Sequence, residues 1–167
     1  VGQELKKNGC RILYFAGYKN KQDRFYHDKI EQFSNTVFWS LENSVFDNVR
    51  EQDYMISGNI IDAINFANNE GLLSKLDHVL CIGSDSMMGA VAKNKQLFGR
   101  AEIICSVNSP MQCMMKGICG QCIQQVDNSQ GYIFSCACQD QDINITNFES
   151  LGNRLKASSL LGKVSKR

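Results

Sequence analysis

His78–Gly83 reads HVLCIG, a short apolar run that ends on glycine, and Ser86–Asn94 beyond it reads SMMGAVAKN, a Met- and Ala-rich helical stretch. A buried strand feeding a helix is the plainest reading of that pair. The same order recurs on both sides. Upstream, Arg11–Gly17 (RILYFAG) is followed by the polar, helix-compatible Lys19–Phe33. Thr36–Leu41 (TVFWSL) repeats the strand signal, and Gly58–Ala67 (GNIIDAINFA) places Ile60, Ile61, Ile64 and Ala67 on one helical face. Downstream, Ala101–Val107 (AEIICSV) supplies a fourth strand. Strands alternating with helices predict an α/β fold whose parallel sheet is covered on both faces. Val1–Asn8 reads as the end of a helix stopped at Asn8-Gly9. Ser150–Ser165 reads as a final helix, with Leu151, Leu155, Leu160 and Leu161 on its apolar side and Arg154, Lys156, Lys163 and Lys166 solvated.

Composition narrows the function. The 167 residues carry 18 Lys+Arg against 17 Asp+Glu, a formal charge of +1, so no field gathers a nucleic-acid backbone or an anionic membrane. No apolar run approaches the ~20 residues needed to span a bilayer. The chain opens VGQELKK, without Met and without a signal-peptide core, and is expected to be a piece of something longer, at home in the cytoplasm. The single proline, Pro110, lies where the cysteines begin to crowd and marks a boundary.

Of the eight cysteines, Cys10, Cys81 and Cys105 lie at or in strand-like runs and read as small buried hydrophobes. The other five fall between positions 113 and 138. A chain long enough to bury its own core, with no secretory signal, does not use them as a disulfide framework. The spacing Cys113-x5-Cys119-x2-Cys122-x13-Cys136 is that of a metal loop. Three cysteines on one tight loop and a fourth from a following strand is how a chain wraps a [2Fe–2S] cluster, whose plant-type spacing is C-x4-C-x2-C…C. Gly117 and Gly120 lie between the ligands and let backbone N–H groups approach the sulfurs. Zinc competes as a substitute, though structural zinc sites more often show two short Cys/His pairs and this chain has one C-x2-C. His27, in a polar helical run, and His78, opening a strand, read as structural or solvated. Cys136 and Cys138 alternate along Ser135–Cys138 if that segment is a strand, so only one faces inward. Cys136 is the expected fourth ligand.

In an open parallel sheet, ligands bind outside the carboxyl ends of the strands, which directs attention to the loops after Gly17, Leu41 and Gly83. Gly83-Ser84-Asp85-Ser86 offers free N–H groups and a hydroxyl to a dinucleotide's phosphates or carboxamide, or serves only as a strand-to-helix turn with an N-cap serine. Met87 and Met88 by spacing alone are core filler. No G-x-G-x-x-G is present.

Together these parts resemble the carboxyl-terminal portion of ferredoxin–NADP reductase-like electron-transfer proteins, in particular the dihydroorotate dehydrogenase electron-transfer (iron–sulfur) subunit. In that family a flavin-binding barrel comes first, a nicotinamide-nucleotide domain second and a [2Fe–2S] loop last. Gly58-Asn59-Ile60-Ile61-Asp62-Ala63-Ile64 is similar to its G-x-V-T-D-x-L element, and Cys81-Ile82-Gly83-Ser84-Asp85-Ser86-Met87-Met88 to its C-G-P-x-x-M-M element. Met111–Cys122 is loosely similar to its cluster loop. Ser84 stands where the family has proline, the first cysteine gap is one residue longer, and the acidic turn usually preceding Gly58 is not recognisable in Arg50–Tyr54. The chain also resembles the end of larger bacterial flavoproteins that pair this module with a glutamate-synthase-type FAD/NAD(P)-binding oxidoreductase.

The resemblance implies an NAD(P)-binding domain over 1–108 lacking its first strand, a [2Fe–2S] loop over 109–141 and a helical tail over 142–167. It implies electron transfer between a nicotinamide nucleotide, FAD on a flavin domain of the same polypeptide, and the cluster, with a redox partner protein or domain beyond. Gly83, Ser84, Asp85 and Met87 would face the nicotinamide, and Gly17, Tyr18 and Arg24 the adenosine ribose or its 2′-phosphate, Arg24 being otherwise a solvated helix residue. The cluster would sit on Cys113, Cys119, Cys122 and Cys136. No side chain need act as acid, base or nucleophile, and without the flavin domain the piece is expected to be silent. The rival from another class is a zinc-stapled, non-enzymatic interaction module. A Cys136/Cys138 reactive pair is disfavoured by the strained C-x-C ring.

Overall fold

The computed structural model describes residues 1–44, 48–107, 113–127 and 131–158. The chain divides into two compact units, Val1–Leu73 and Ser74–Arg167.

The first unit is a three-stranded parallel sheet with helices. Helix α1 (Gly2–Lys7) stops at Asn8, followed by Gly9 with φ +79°. Strands β1 (Leu13–Tyr18), β2 (Thr36–Leu41) and β3 (Tyr54–Ser57) pair in that order, all parallel, with Leu13 opposite Thr36 and Phe38 opposite Tyr54. β2 is central and buried from Val37 to Leu41, the continuous apolar strand that a sheet covered on two faces demands. On one face Phe15, Phe38 and Tyr54 stack ring on ring, at 4.5 and 5.1 Å between centroids, with Phe66 of α3 (Ile60–Asn69) tilted against Tyr54. The other face packs Ala16, Ile30, Val37 and Trp39 with Tyr14, Tyr18, Phe33 and Met55.

α3 starts at a capping box: Asn59 Oδ1 accepts from the N–H groups of Ile61 and Asp62, and Asp62 Oδ2 accepts from the Asn59 N–H. Gly58 sits at φ +140°, and a Cβ there would run into the Asp62 carboxylate. The Gly58-to-Asp62 pattern is thus a helix start with a local structural cause. The helix buries Ala63, Ile64 and Ala67, with Ile60 and Ile61 half-buried, a face turned slightly from the one the spacing predicts. The expected helix over Lys19–Phe33 is broken into a single 3-10 turn (Lys21–Asp23) and α2 (His27–Phe33), because Tyr26 takes a left-handed conformation between them. β3 was not expected.

In the second unit β4 (His78–Ile82) runs parallel to β5 (Glu102–Ser106), and β8 (Asp140–Asp142) adds an antiparallel edge. The strands therefore form separate three-stranded sheets, one wholly parallel and one mixed. α4 (Asp85–Lys93) packs on β4, and α5 (Phe148–Ser158) packs on α4. A short hairpin, β6 (Ile123–Gln125) with β7 (Tyr132–Phe134), carries the cysteine region. It is tied to β8 by a buried amide pair, Gln124 to Gln141 at 2.9 Å. Leu151 of α5 is buried, while Leu155, Leu160, Leu161, the basic residues beyond, Pro110 and the 108/109 boundary lie outside the residues whose side chains are described. Cys81 and Cys105 are buried as expected. Cys10 is exposed, a correction: the strand begins only at Leu13, so Cys10 stays in the turn before it. Among the described residues no helix is long and apolar enough to cross a membrane.

Candidate functional site

At the carboxyl end of β1, Gly17 faces Ser40 across the register, and a Cβ on it would touch Ser40 Oγ and the Ile60 side chain at 3.4 Å. Tyr18 follows, stacked 20° from coplanar on Trp39 with centroids 6.3 Å apart and edge-on to Phe25 at 6.0 Å. Burial raises the Tyr18 pKa, with Tyr14 raising it further and Arg24 opposing. The Arg24 guanidinium lies 4.2 Å from the centre of the Trp39 ring and 3.7 Å from Glu31, and its side chain is 15% exposed. Burial lowers the Arg24 pKa and the facing Glu31 carboxylate resists this. Arg24 is therefore neither in a helix nor solvated: the helix is interrupted at this point, and an aromatic ring and a carboxylate hold the guanidinium. Phe25 and Tyr26 beside it are more than 60% exposed.

The partners of several polar residues here lie beyond what the sequence alone showed. His27 bridges Asp28 at 2.9 Å and Glu31 at 2.7 Å. Arg50 holds the buried Asp53 through two contacts of 2.8 and 2.9 Å, and Asp53 Oδ1 accepts from the Val37 N–H. The Arg50 pKa is raised chiefly by that hydrogen bond to Asp53. The available signal was Arg50-x2-Asp53 immediately before the apolar triplet Tyr54-Met55-Ile56.

In the second unit, β4 ends in the Gly83–Met87 turn. Ser84 is the N-cap of α4; its Oγ accepts from the Met87 N–H at 3.2 Å and lies 3.0 Å from Ser86 Oγ. A Cβ on Gly83 would collide with the Met87 methyl, and Met87 Sδ is 3.9 Å from Cys81 Sγ. Asp85, in the first turn, packs so closely on α5 that a Cβ on Gly152 would meet its carboxylate at 2.6 Å. Met88 is core, 1% exposed, whereas Met87 is half-buried over the turn.

The cysteine loop belongs to the same unit. Cys122 and Cys136 are buried with their sulfurs 3.0 Å apart. Cys113 is half-buried; N–H groups of Cys119 and Ile118 point at its sulfur, the Cys119 thiol also meets it, and the Lys116 N–H donates to the Cys113 carbonyl oxygen at 3.3 Å. Those donors pull the Cys113 pKa down to about 6. The Cys136 pKa is raised, first by the Cys122 thiol, while the Gly117 N–H opposes the shift and Cys113 adds to it from across the loop. The loop turns through left-handed residues at Met114, Met115, Gly117 and Gly120, the conformation in which successive N–H groups line a concave surface. Ser135–Ala137 is a turn, not a strand, so the alternation argument for choosing Cys136 does not apply; the turn itself buries Cys136 against Cys122 and leaves Cys138 exposed. Among the described residues no three His, Cys, Asp or Glu side chains close on a point that could hold a metal ion as they stand. The four loop cysteines form two pairs, Cys113 with Cys119 and Cys122 with Cys136.

The sequence matches no family model. Over 94 residues, 56% of the chain, it is 46% identical to the uncharacterized protein RP006 of Rickettsia prowazekii (strain Madrid E), of which the match spans 13%. In structure the chain is similar over 99% of its length to a solved NADH-dependent reduced ferredoxin-NADP oxidoreductase, a protein studied for flavin-based electron bifurcation, with a TM-score of 0.74 and 22% identity. The chain spans about half, 54%, of that neighbour and a smaller share of the rickettsial relative. The likeness establishes a mixed α/β fold of the kind that this oxidoreductase carries.

Proposed function

We propose that the chain is the nicotinamide-nucleotide and iron–sulfur portion of a larger flavin-dependent oxidoreductase of the ferredoxin–NADP reductase-like kind. On this reading it passes electrons between NAD(P)H, FAD on another domain, and a [2Fe–2S] cluster on Cys113, Cys119, Cys122 and Cys136. The observation that carries it is the loop itself: two thiol pairs, glycine-hinged, with backbone N–H groups directed at the sulfurs. Two pairs suit two irons, each taking two thiolates; a single tetrahedral zinc would need all four on one point. The shared fold with an NADH-dependent oxidoreductase supports the same reading.

When bound, the flavin supplies conversion of an electron pair into single electrons and the cluster carries them one at a time. This chain's residues bind and orient. The N–H groups at Cys119 and Ile118 stabilise negative sulfur and so set how readily the site accepts charge. Ser84 fixes the first turn of α4, an N-terminus that favours an anionic or carbonyl oxygen, and Gly83 makes room for the Met87 side chain beside it. Within the first unit, Gly17 and Tyr18 would face an adenosine, with Arg24 held as a cation 4.2 Å over the Trp39 ring. The dihydroorotate dehydrogenase-type assembly and the longer glutamate-synthase-type polypeptide belong to this proposal, as do the 1–108, 109–141 and 142–167 divisions and a cytoplasmic home.

The test is anaerobic addition of NADH or NADPH to this chain joined to an FAD-bearing domain. The reading predicts loss of visible absorbance from both chromophores, with cluster bleaching abolished by Cys122→Ser. A colourless protein carrying stoichiometric zinc and no acid-labile sulfide would replace the reading with a zinc-stapled interaction module.

A further inference from the structure

Away from the four-cysteine loop, two cysteines and a methionine gather near the carboxyl ends of β4 and β5, before the Ser84 turn. Cys81 and Cys105 occupy the same register position on the parallel strands β4 and β5, both buried on one face of the sheet. The register sets their side chains next to one another, and α4 brings the Met87 thioether back over the strand end to 3.9 Å from Cys81 Sγ. None of the three is needed to hold the cluster.

Softness, spacing and charge select the same ligand. Thiolate and thioether sulfurs favour Cu(I) among biological cations. A three-coordinate ion with metal–sulfur bonds of ~2.3 Å holds its ligands ~4 Å apart, the separation already found between Cys81 and Met87. Of the pair, the neighbouring thiol and burial raise the Cys105 pKa, while Cys81, the sulfur beside Met87, is lowered. Asp142 adds to the rise at Cys105. A site that gives up one proton, that of Cys81, carries one negative charge. A monovalent cation gives a neutral buried complex, whereas a divalent one leaves a buried net charge. Gly83 is exposed and borders the Met87 side chain, which would swing aside to admit an ion.

We infer that Cys81, Cys105 and Met87 form a three-sulfur site for Cu(I), separate from the Cys113–Cys136 loop. Binding exchanges the Cys81 proton for the cation; Cys105 keeps its proton and turns a sulfur lone pair to the metal. No electron moves, because copper arrives already as Cu(I).

The experiment is N-ethylmaleimide labelling of the whole chain without oxygen, with and without Cu(I) buffered by bicinchoninate, read by mass spectrometry after trypsin. Fragment 76–93 carries Cys81 as its sole cysteine, so copper on the four-cysteine loop does not confuse the readout. Cu(I) should slow Cys81 labelling at least tenfold and Zn(II) should not. Met87→Leu, which conserves volume, and Cys105→Ser should each cost at least tenfold of that protection, with far-UV circular dichroism unchanged. Equal Cys81 labelling with and without Cu(I), protection only of the loop cysteines, or full protection in Met87→Leu would each overturn the inference. The readout is independent of nucleotide, flavin and cluster, so it stands or falls separately from the proposed function.

Discussion

Val37 to Leu41 of β2 have no solvent exposure at all, whereas Met114, Met115 and Ile118 of the cysteine loop are 82, 58 and 77% exposed. The first region is held by burial: a parallel sheet, an aromatic stack on one face, and Trp39 under Arg24 on the other. The loop region has three-residue strands, left-handed turns and large apolar side chains facing outward. Burial of a Leu- or Met-sized side chain contributes roughly 1.5–3 kcal/mol, and the loop forgoes that several times over. What it has instead are thiols at short range. The contrast teaches that the loop's own side chains do not hold it as β2 is held, and that a ligand bridging its cysteines would supply what burial supplies elsewhere.

Substitutions separate the two regimes. Trp39→Ala removes a fully buried indole and the platform under Arg24; we expect a loss of about 3–5 kcal/mol by urea unfolding followed by circular dichroism. Asp53→Asn deprives Arg50 of its charge partner while keeping an acceptor for the Val37 N–H. A loss of about 2 kcal/mol is expected, read by fluorescence of the single tryptophan, which reports on the first unit. Ser84→Ala should cost about 1 kcal/mol through the lost N-cap of α4, measured by thermal unfolding.

The loop responds to pH and labelling instead. In the metal-free chain, Cys113 is a thiolate above about 6, so its alkylation rate should rise through pH 6 and level off well below the range where a free thiol at ~8.5 would still be titrating. A midpoint near 8.5 would remove the backbone N–H nest from the account.

How much of this was legible depended on the range of the cause. β2 and β4 were readable because continuous β-branched and aromatic runs are a local signal, and the α4 start because Ser84 caps it directly. β3 and β8 were missed: YMIS is short, and DQD carries no apolar pattern, its place being set by pairing with Ile104–Ser106. The break at Tyr26 was hidden because a left-handed residue other than glycine leaves no mark in composition. The cysteine spacing announced a loop, yet the reason Cys136 rather than Cys138 meets Cys122 lies in a turn that alternation misread as a strand. The anchoring of Arg24 was hidden since its partners, Trp39 and Glu31, are distant in sequence or on the next helix.

The most direct measurement is iron, zinc and acid-labile sulfide per chain, with the visible spectrum, on protein purified without oxygen as wild type, Cys119→Ser and Cys138→Ser. The account predicts a brown wild type with about two irons and two sulfides, a Cys138→Ser variant like it, and a colourless Cys119→Ser. Stoichiometric zinc without sulfide in the wild type, or loss of colour on replacing Cys138, would contradict it.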